Sequence, residues 1–183
     1  MADEIRPEAA DAVSRLRRLG LRTALLTGDR REAAEPVASA VGIEELRAGQ
    51  TPEDKAGFLR AAAAAGRRAL MVGDGINDAP ALAAASVGCA LAGGTAVALE
   101  ASDLVLTSPR LDRVPEAVAL ARRTLRIVRQ NLFWAFAYNV LALPLAAAGR
   151  VAPVHAAAAM VLSSVCVLGN SLRLGRRPGR NAA

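Results

Sequence analysis

The spacing of apolar residues changes once along the chain, near Pro109. Before that point, short apolar runs alternate with segments whose apolar residues recur at helical spacing. The runs RTALLTGD, RALMVGDG, SVGCALA and SDLVLT predict strands, and RPEAADAVSRLRRLG, REAAEPVASAVG and TPEDKAGFLRAAAAAG predict helices that end at glycines. Short buried strands that alternate with helices are typical of an α/β domain with a parallel sheet covered on both faces, here over residues 1–112.

Polar residues follow two of the predicted strands directly. Thr27, Gly28 and Asp29 come after one strand, and the segment GDGIND, from Gly73 to Asp78, comes after another. In parallel α/β sheets, ligands bind at the carboxyl ends of the strands. The third helix, which begins with Thr51 as the predicted N-cap, carries Lys55 one turn later.

After Pro109 the chain becomes arginine-rich and then uncharged. Four arginines precede an uncharged run of 20 residues, Gln130 to Gly149, which would be about 30 Å long as a helix. A second uncharged run, Val151 to Leu172, is followed by further arginines. The pattern predicts a connecting helix (113–129), a transmembrane hairpin (130–175) and a basic cytoplasmic tail (176–183), with both ends of the hairpin in the cytoplasm. The alternative is a pair of alanine-rich core helices.

Composition narrows the function classes only slightly. The formal net charge is +6, but aromatic residues make up 3% and the arginines gather beside the apolar runs, so nucleic-acid binding is not favoured. Two distant cysteines without a CxxC motif argue against a disulfide scaffold or a zinc site. The first residues, MADEIRPEAADAV, lack the apolar core of a signal peptide. Lys55 is the only lysine, which suggests that this position requires an ammonium group.

The polar residues at the strand ends fit the chemistry of phosphoryl transfer. Asp74 and Asp78 offer the oxygen ligands that Mg²⁺ prefers, and the adjacent Gly73 and Gly75 let backbone amides approach an anion closely. Such a reaction also needs hydrogen-bond donors and a cation that position the phosphoryl group and neutralise its charge. These can be supplied by the amide of Asn77, the hydroxyl of Thr27 and the ammonium of Lys55. A simple Asp-Gly turn is the alternative for Asp74 alone.

The motifs LLTGD, TPEDK and MVGDGINDAPALA together resemble the phosphorylation domain of P-type ATPases, in the haloacid-dehalogenase-like superfamily. The resemblance implies that Asp74 binds Mg²⁺ and that Asn77 and Asp78 organise the phosphoryl group. It also implies that Thr27 and Lys55 hold phosphate, and that Gly28 and Asp29 complete the adjacent turn.

The apolar half resembles the copper(I)-exporting members of that family. AYNV and MVLSS match their pattern, whereas zinc, cadmium and lead exporters tend to carry a Lys and an Asp in these helices. A thioether also suits a soft ion such as Cu(I). The resemblance implies half of a Cu(I) or Ag(I) transport site at five residues: Tyr138, Asn139, Met160, Ser163 and Ser164. Ordinary helix packing is the alternative for these small and polar residues.

Several parts of such a pump do not occur in this sequence. The aspartate that accepts phosphate lies in a DKTGT motif, which is absent, as are the nucleotide-binding domain, the actuator loop and earlier membrane helices. We therefore expect the C-terminal part of a copper pump, with a haloacid-dehalogenase-like domain that lacks its first strand. We also expect other segments of the pump to bind most of the ATP. The expected partners are those other segments, membrane lipid and Cu(I). The isolated chain is expected to form no phosphoenzyme. The alternatives are a catalytically incomplete, membrane-anchored interaction module and a small phosphatase of the same superfamily.

Overall fold

The computed structural model describes residues 5–149 and 153–175. The chain divides into two compact units, Met1–Ala117 and Val118–Ala183. The predicted basic tail, 176–183, lies outside the described residues.

The first unit alternates helices and strands, as predicted from its apolar pattern. In chain order the elements are α1 (Ala9–Arg18), β1 (Ala24–Leu26), α2 (Arg31–Val41), β2 (Glu45–Arg47), α3 (Pro52–Ala64), β3 (Leu70–Gly73), a 3₁₀ turn (Ile76–Asp78), α4 (Ala79–Ala84), β4 (Val87–Leu91), α5 (Ala96–Glu100) and β5 (Leu104–Leu106). The predicted α/β class is confirmed. Strand β2 was not predicted, because its sequence ELR has no apolar run.

All strand pairs of this unit are parallel. Strand β1 pairs with β2, with Leu25 opposite Leu46, and β3, β4 and β5 form a three-stranded sheet in that order. Strand β4 is the central strand of the larger sheet, and four of its five residues are buried. Within the described residues, β1 and β3 each pair along one edge only. The carboxyl ends of β1 and β3 lead into Thr27–Asp29 and Gly73–Asp78, the polar segments predicted to form the site.

A small core holds α3 and α4 against β3. Leu59, Met71, Ala81, Leu82 and Ala98 form this buried cluster, and Leu82 is 1% exposed. The alanines leave room for the two helices to approach the sheet closely. Replacement of a fully buried leucine by alanine costs about 2–5 kcal/mol, so Leu82 is a major support for the loop at the end of β3.

Helix α3 begins with the predicted N-cap. The hydroxyl of Thr51 accepts a hydrogen bond from the amide of Asp54, and the Asp54 carboxylate accepts one from the amide of Thr51. Pro52 occupies the first helical position, where no N–H is required. This reciprocal cap fixes where the helix starts and therefore where Lys55 stands.

The second unit consists of helical segments. Helix α6 (Arg113–Ala147) begins in the first unit and continues into the second, and α7 (Pro153–Leu172) follows. The predicted connecting helix and first apolar run are thus one continuous element. Amide and hydroxyl side chains join α6 to α7: Asn131 donates to Ser171 over 3.0 Å, and Asn170 donates to Asn131 over 2.8 Å.

The predicted transmembrane hairpin is not confirmed. Two helices are present where it was expected, but across residues 5–149 and 153–175 none has both the length and the apolar character that a bilayer crossing needs. Many large apolar side chains of α6 and α7 are nevertheless exposed, among them Phe133, Phe136 and Leu162 at 63%, 62% and 65%.

Candidate active site at the strand ends

The turn after β1 is held by its own side chains and by the neighbouring loop. The Thr27 hydroxyl donates to the Asp29 carboxylate over 2.8 Å and accepts from the Asp29 amide over 3.1 Å. The backbone oxygen of Thr27 accepts from the amide of Gln50 at 2.9 Å. Because the cap of α3 follows Gln50 directly, the turn that contains Thr27 and the helix that contains Lys55 share one support.

Lys55 and Asp78 form a largely buried ion pair. The Lys55 ammonium lies 2.8 Å from Oδ1 of Asp78, and the two side chains are 10% and 18% exposed. Lys55 is the only buried charged residue among those the structure describes. Both residues were predicted from the sequence as site residues, and the structure brings them together although they are 23 positions apart. The pair places a cation and its orienting carboxylate at the end of β3.

Glycine is required at the end of β3 because Asp78 folds back over it. A Cβ on Gly73 would stand 2.8 Å from the Cβ of Asp78 and 2.9 Å from its Oδ2, closer than real Cβ contacts. Gly75 leaves a wider space, 3.6 Å to the same oxygen. These glycines were predicted to let backbone amides approach an anion, and that role stays a prediction; the structure shows that Gly73 leaves room for the Asp78 side chain. Asn77 lies between them and α4 and is exposed.

Asp74 points toward solvent and is half exposed. Its Oδ2 lies 3.3 Å from the guanidinium of Arg6, and its backbone oxygen accepts from the amide of Thr95 at 3.0 Å. A Cβ on Gly94 would lie 3.1 Å from that same backbone oxygen. Sequence reasoning missed Arg6, Gly94 and Thr95. The glycine pair that follows β4 was the available signal, since it marks another strand end.

Two carboxyl groups of the first unit have a lowered pKa, and each has a structural cause. Hydrogen bonds from the hydroxyl and then the amide of Thr51 lower the pKa of Asp54. The guanidinium of Arg110 lowers the pKa of Asp112, chiefly through its hydrogen bonds. The Asp54 carboxylate caps α3 and so helps to place Lys55, whereas the Asp112 carboxylate is bound to Arg110 just before α6 begins.

The residues at the end of β3 fit Mg²⁺ better than a metal that needs a full protein cage. Among the described residues, no three His, Cys, Asp or Glu side chains are grouped to hold a metal ion. Mg²⁺ keeps several waters and is commonly bound by one or two carboxylates together with phosphate oxygens. The half-exposed Asp74 meets that requirement. Asp78 is already bound to Lys55 through one oxygen, and its direct contact with Mg²⁺ stays a prediction.

The predicted Cu(I) residues lie in the second unit and are brought together only in part. On α7, Met160 and Ser164 are one turn apart, and the Ser164 hydroxyl donates to the Met160 carbonyl over 3.0 Å. Met160 is 68% exposed and Ser163 is half-buried. On α6, Asn139 is exposed, and the side chain of Tyr138 lies outside the described part of the structure.

Comparison with known proteins gives a consistent result. The haloacid dehalogenase-like hydrolase family matches residues 1–86. The chain is 52% identical to the "Probable copper-exporting P-type ATPase V" of Mycobacterium tuberculosis (strain CDC 1551 / Oshkosh) over 184 aligned positions, which cover 100% of this chain and 24% of that protein. It is 45% identical to the "Copper-exporting P-type ATPase" of Staphylococcus haemolyticus (strain JCSC1435), covering 96% of this chain and 22% of that protein. The chain thus spans about a quarter of the length of these relatives.

A solved structure supports the same relationship. A zinc-transporting PIB-type ATPase in its E2.Pi state superposes with a TM-score of 0.89 at 39% identity, over 95% of this chain and 28% of that protein. The predicted haloacid-dehalogenase-like fold is confirmed by the family match and by this superposition. The names of these relatives give copper for some and zinc for another, so the shared fold does not identify the transported ion.

Proposed function

The chain is a homologue of the copper-exporting P-type ATPases over its whole length, and we propose that it supplies the Mg²⁺ and phosphate clamp of an ATP-driven pump for Cu(I) or Ag(I). The observation that carries the proposal is the buried Lys55–Asp78 pair, at 2.8 Å, beside the exposed carboxylate of Asp74. A cation, a carboxylate and a glycine turn at the end of a parallel strand serve to position and neutralise a phosphoryl group.

Each residue has a distinct task in this proposal. Asp78 orients the ammonium of Lys55, which neutralises charge on a phosphoryl oxygen, and the Thr27 hydroxyl and Asn77 amide donate to the other oxygens. Asp74 holds Mg²⁺, which when bound supplies further neutralisation of the phosphate. Gly28 and Asp29 shape the turn that presents Thr27.

The nucleophile of the proposed cycle comes from another segment of the pump. In that cycle an aspartate carboxylate attacks the γ-phosphorus of ATP, the bond to ADP breaks, and water later hydrolyses the phosphoaspartate. Two strands, β1 and β3, each have one edge without a partner in the described residues, and their apolar side chains are mostly half-buried. A parallel strand between them would join the two sheets and end beside Thr27 and Asp74. We propose that the phosphorylated aspartate lies on such a strand.

The second unit provides half of the transported ion's site and the contact with the membrane. Met160, Ser163 and Ser164 on α7, with Tyr138 and Asn139 on α6, form this half-site in the proposal. No acidic residue follows Glu116 in the sequence, so carboxylate ligands of the kind that suit harder ions are missing here. This favours Cu(I) over Zn²⁺ despite the superposition on a zinc transporter. The exposed apolar side chains of α6 and α7 support burial in lipid or against other helices of a cytoplasmic-membrane pump.

A chimeric pump tests the proposal. This chain replaces the homologous quarter of the Mycobacterium tuberculosis relative, and copper tolerance is measured in a copper-sensitive bacterial host. We expect the chimera to restore growth in copper, and Asp74→Asn to abolish that growth. Glu32→Gln, an exposed carboxylate change on α2, is the matched control and should have no effect. A well-expressed Asp74→Asn chimera with full copper tolerance would contradict the proposed clamp.

The choice of ion needs its own variants. Met160→Ala should lower copper tolerance, whereas Leu162→Ala, a change of similar exposure on the same helix, should leave it intact. If the chimera protects against zinc and not against copper, the copper assignment is wrong and the clamp stands. If it protects against copper and Met160→Ala keeps that tolerance, Met160 is not a copper ligand.

A further inference from the structure

Charge is distributed unequally along the chain. The last 66 residues contain nine arginines and no acidic side chain, whereas the first 117 contain 17 acidic residues against 14 basic ones. The arginines of the second unit therefore have no acidic side chain in that unit with which to pair. Among the described residues, Arg126 and Arg129 have no ion-pair or hydrogen-bond partner. An anion from outside the chain is the natural complement to this surface.

Three of these arginines form a row on one face of α6. Arg122, Arg126 and Arg129 recur at spacings of four and three residues, which places them on one side of a helix. They line an open groove, called here the arginine–tryptophan groove, together with Leu125, Gln130, Phe133 and Trp134. A different face of α6 contacts α7, since Ile127 is 6% exposed and Asn131 donates to Ser171.

Two aromatic rings close one end of the groove. Phe133 and Trp134 pack edge to face with their centroids 5.4 Å apart, yet they remain 63% and 64% exposed. Farther along α6, Phe136 and Val140 are also exposed, at 62% and 69%. The surface therefore passes from a guanidinium row through an indole to a purely apolar face. Such an order matches the phosphate, the interfacial region and the acyl chains of a phospholipid.

We propose that the arginine–tryptophan groove binds the headgroup of an anionic phospholipid. Arg126 and Arg129 bind the lipid phosphate, since a guanidinium presents paired donors that fit a phosphate. Trp134 lies at the level of the glycerol, and the apolar face beyond it contacts the acyl chains. The inference rests on that part of the proposed function which puts α6 and α7 in contact with lipid, and on neither ATP nor copper.

The choice of lipid over a soluble anion follows from the exposed apolar surface. A free phosphate would engage the arginines but leave Phe133, Trp134 and Phe136 in water. An anionic lipid satisfies the charge and covers the rings with one molecule. Electrostatic attraction to an anionic membrane contributes about 1 kcal/mol for each basic residue, a factor of about five in affinity.

The chain contains its own probe for this site. Trp134 is the only tryptophan, so its fluorescence reports on the groove alone. The full chain is reconstituted into phosphatidylcholine vesicles that contain the same fraction of either brominated phosphatidylglycerol or brominated phosphatidylcholine. Bromine quenches tryptophan only at short range, so the ratio of the two quenching curves measures the preference of the groove for the anionic lipid.

Matched variants identify the residues responsible. We expect the wild-type chain to be quenched preferentially by brominated phosphatidylglycerol, and the double variant Arg126→Gln/Arg129→Gln to lose about 25-fold in that preference. Arg67→Gln/Arg68→Gln removes the same charge from an exposed segment of the first unit and should leave the preference unchanged.

The outcomes separate the inference from its premise. Equal quenching by the two lipids in the wild type would overturn the anionic-lipid site while leaving lipid contact intact. Absence of quenching by either lipid would refute lipid contact, and with it both the inference and that part of the proposed function. Loss of the preference on addition of inorganic phosphate at constant ionic strength would show that the groove binds free phosphate, which also overturns the inference.

Discussion

Removal of the Lys55 ammonium should destabilise the first unit while leaving its backbone able to fold. In the Lys55→Met variant, the side chain keeps most of its volume, but Asp78 retains a carboxylate that is only 18% exposed and has lost its partner at 2.8 Å. Breaking one side of a buried ion pair costs about 3–5 kcal/mol. Because part of the Asp78 side chain still reaches solvent, we expect a loss of about 3 kcal/mol, the low end of that range.

Removal of both charges should cost less than removal of one. In Lys55→Met/Asp78→Asn no charge is left uncompensated, and replacing a buried pair by neutral groups is often close to neutral. A coupling free energy of about 2 kcal/mol between the two positions therefore follows, within the range measured for residues in contact.

Hydrogen exchange in the full chain measures this locally. The amides of β4, the most buried strand, report the opening free energy of the three-stranded sheet. A loss of 3 kcal/mol corresponds to exchange about 100-fold faster. Arg60→Met, an exposed change on the same helix, serves as the control and should leave exchange unaltered. Protection in Lys55→Met within about 0.5 kcal/mol of wild type, or a double variant whose loss equals the sum of the single losses, would refute the reasoning.

Three further predictions follow from the contacts and burial of individual side chains. Gly73→Ala should displace the Asp78 side chain and abolish copper tolerance in the chimeric pump. The control Gly57→Ala, which has nothing within 4 Å of the new Cβ, should be tolerated. Equal growth of the two variants in copper would contradict this prediction. At pH 8, iodoacetamide followed by mass spectrometry should modify the exposed Cys166 and spare Cys89, whose pKa is raised by burial so that less thiolate forms; equal labelling would disprove it. Because the pKa of Asp54 is lowered, the Asp54 cap stabilises α3 above the ordinary pKa of 3.8, and this stabilisation is lost as pH falls through the lowered pKa. The stability difference between wild type and Asp54→Ala should therefore shrink below pH 3.8, which acid unfolding followed by circular dichroism measures.

Local features of the sequence predicted most of the first unit. The alternation of apolar runs and helical segments, the cap at Thr51 and the polar strand ends each depend on a few neighbouring residues, and each is present. Strand β2 was missed because parallel pairing with β1, rather than its own polar sequence, makes Glu45–Arg47 extended. Helix α2 continues through Pro36, as the helical pattern of REAAEPVASAVG predicted.

Long-range contacts were beyond such reasoning. Arg6 reaches Asp74 across 68 positions, and Thr95 supports the backbone of Asp74 from the far side of β4. No local pattern encodes these contacts, because they depend on how the strands are ordered in the sheet. In the apolar half, the two uncharged runs predicted the positions of two helices correctly. The predicted membrane crossing was not confirmed for the described residues.

The most direct test of the central claim is acid-stable labelling with γ-labelled ATP and Mg²⁺. We expect no label on the purified chain, which would provide the clamp without the nucleophile. We expect a label on the chimeric pump, and no label when Asp74→Asn is introduced there. An acid-stable phosphoryl group on the isolated chain would show that it contains its own nucleophile and would contradict the account, as would an unlabelled chimera that is correctly folded and inserted.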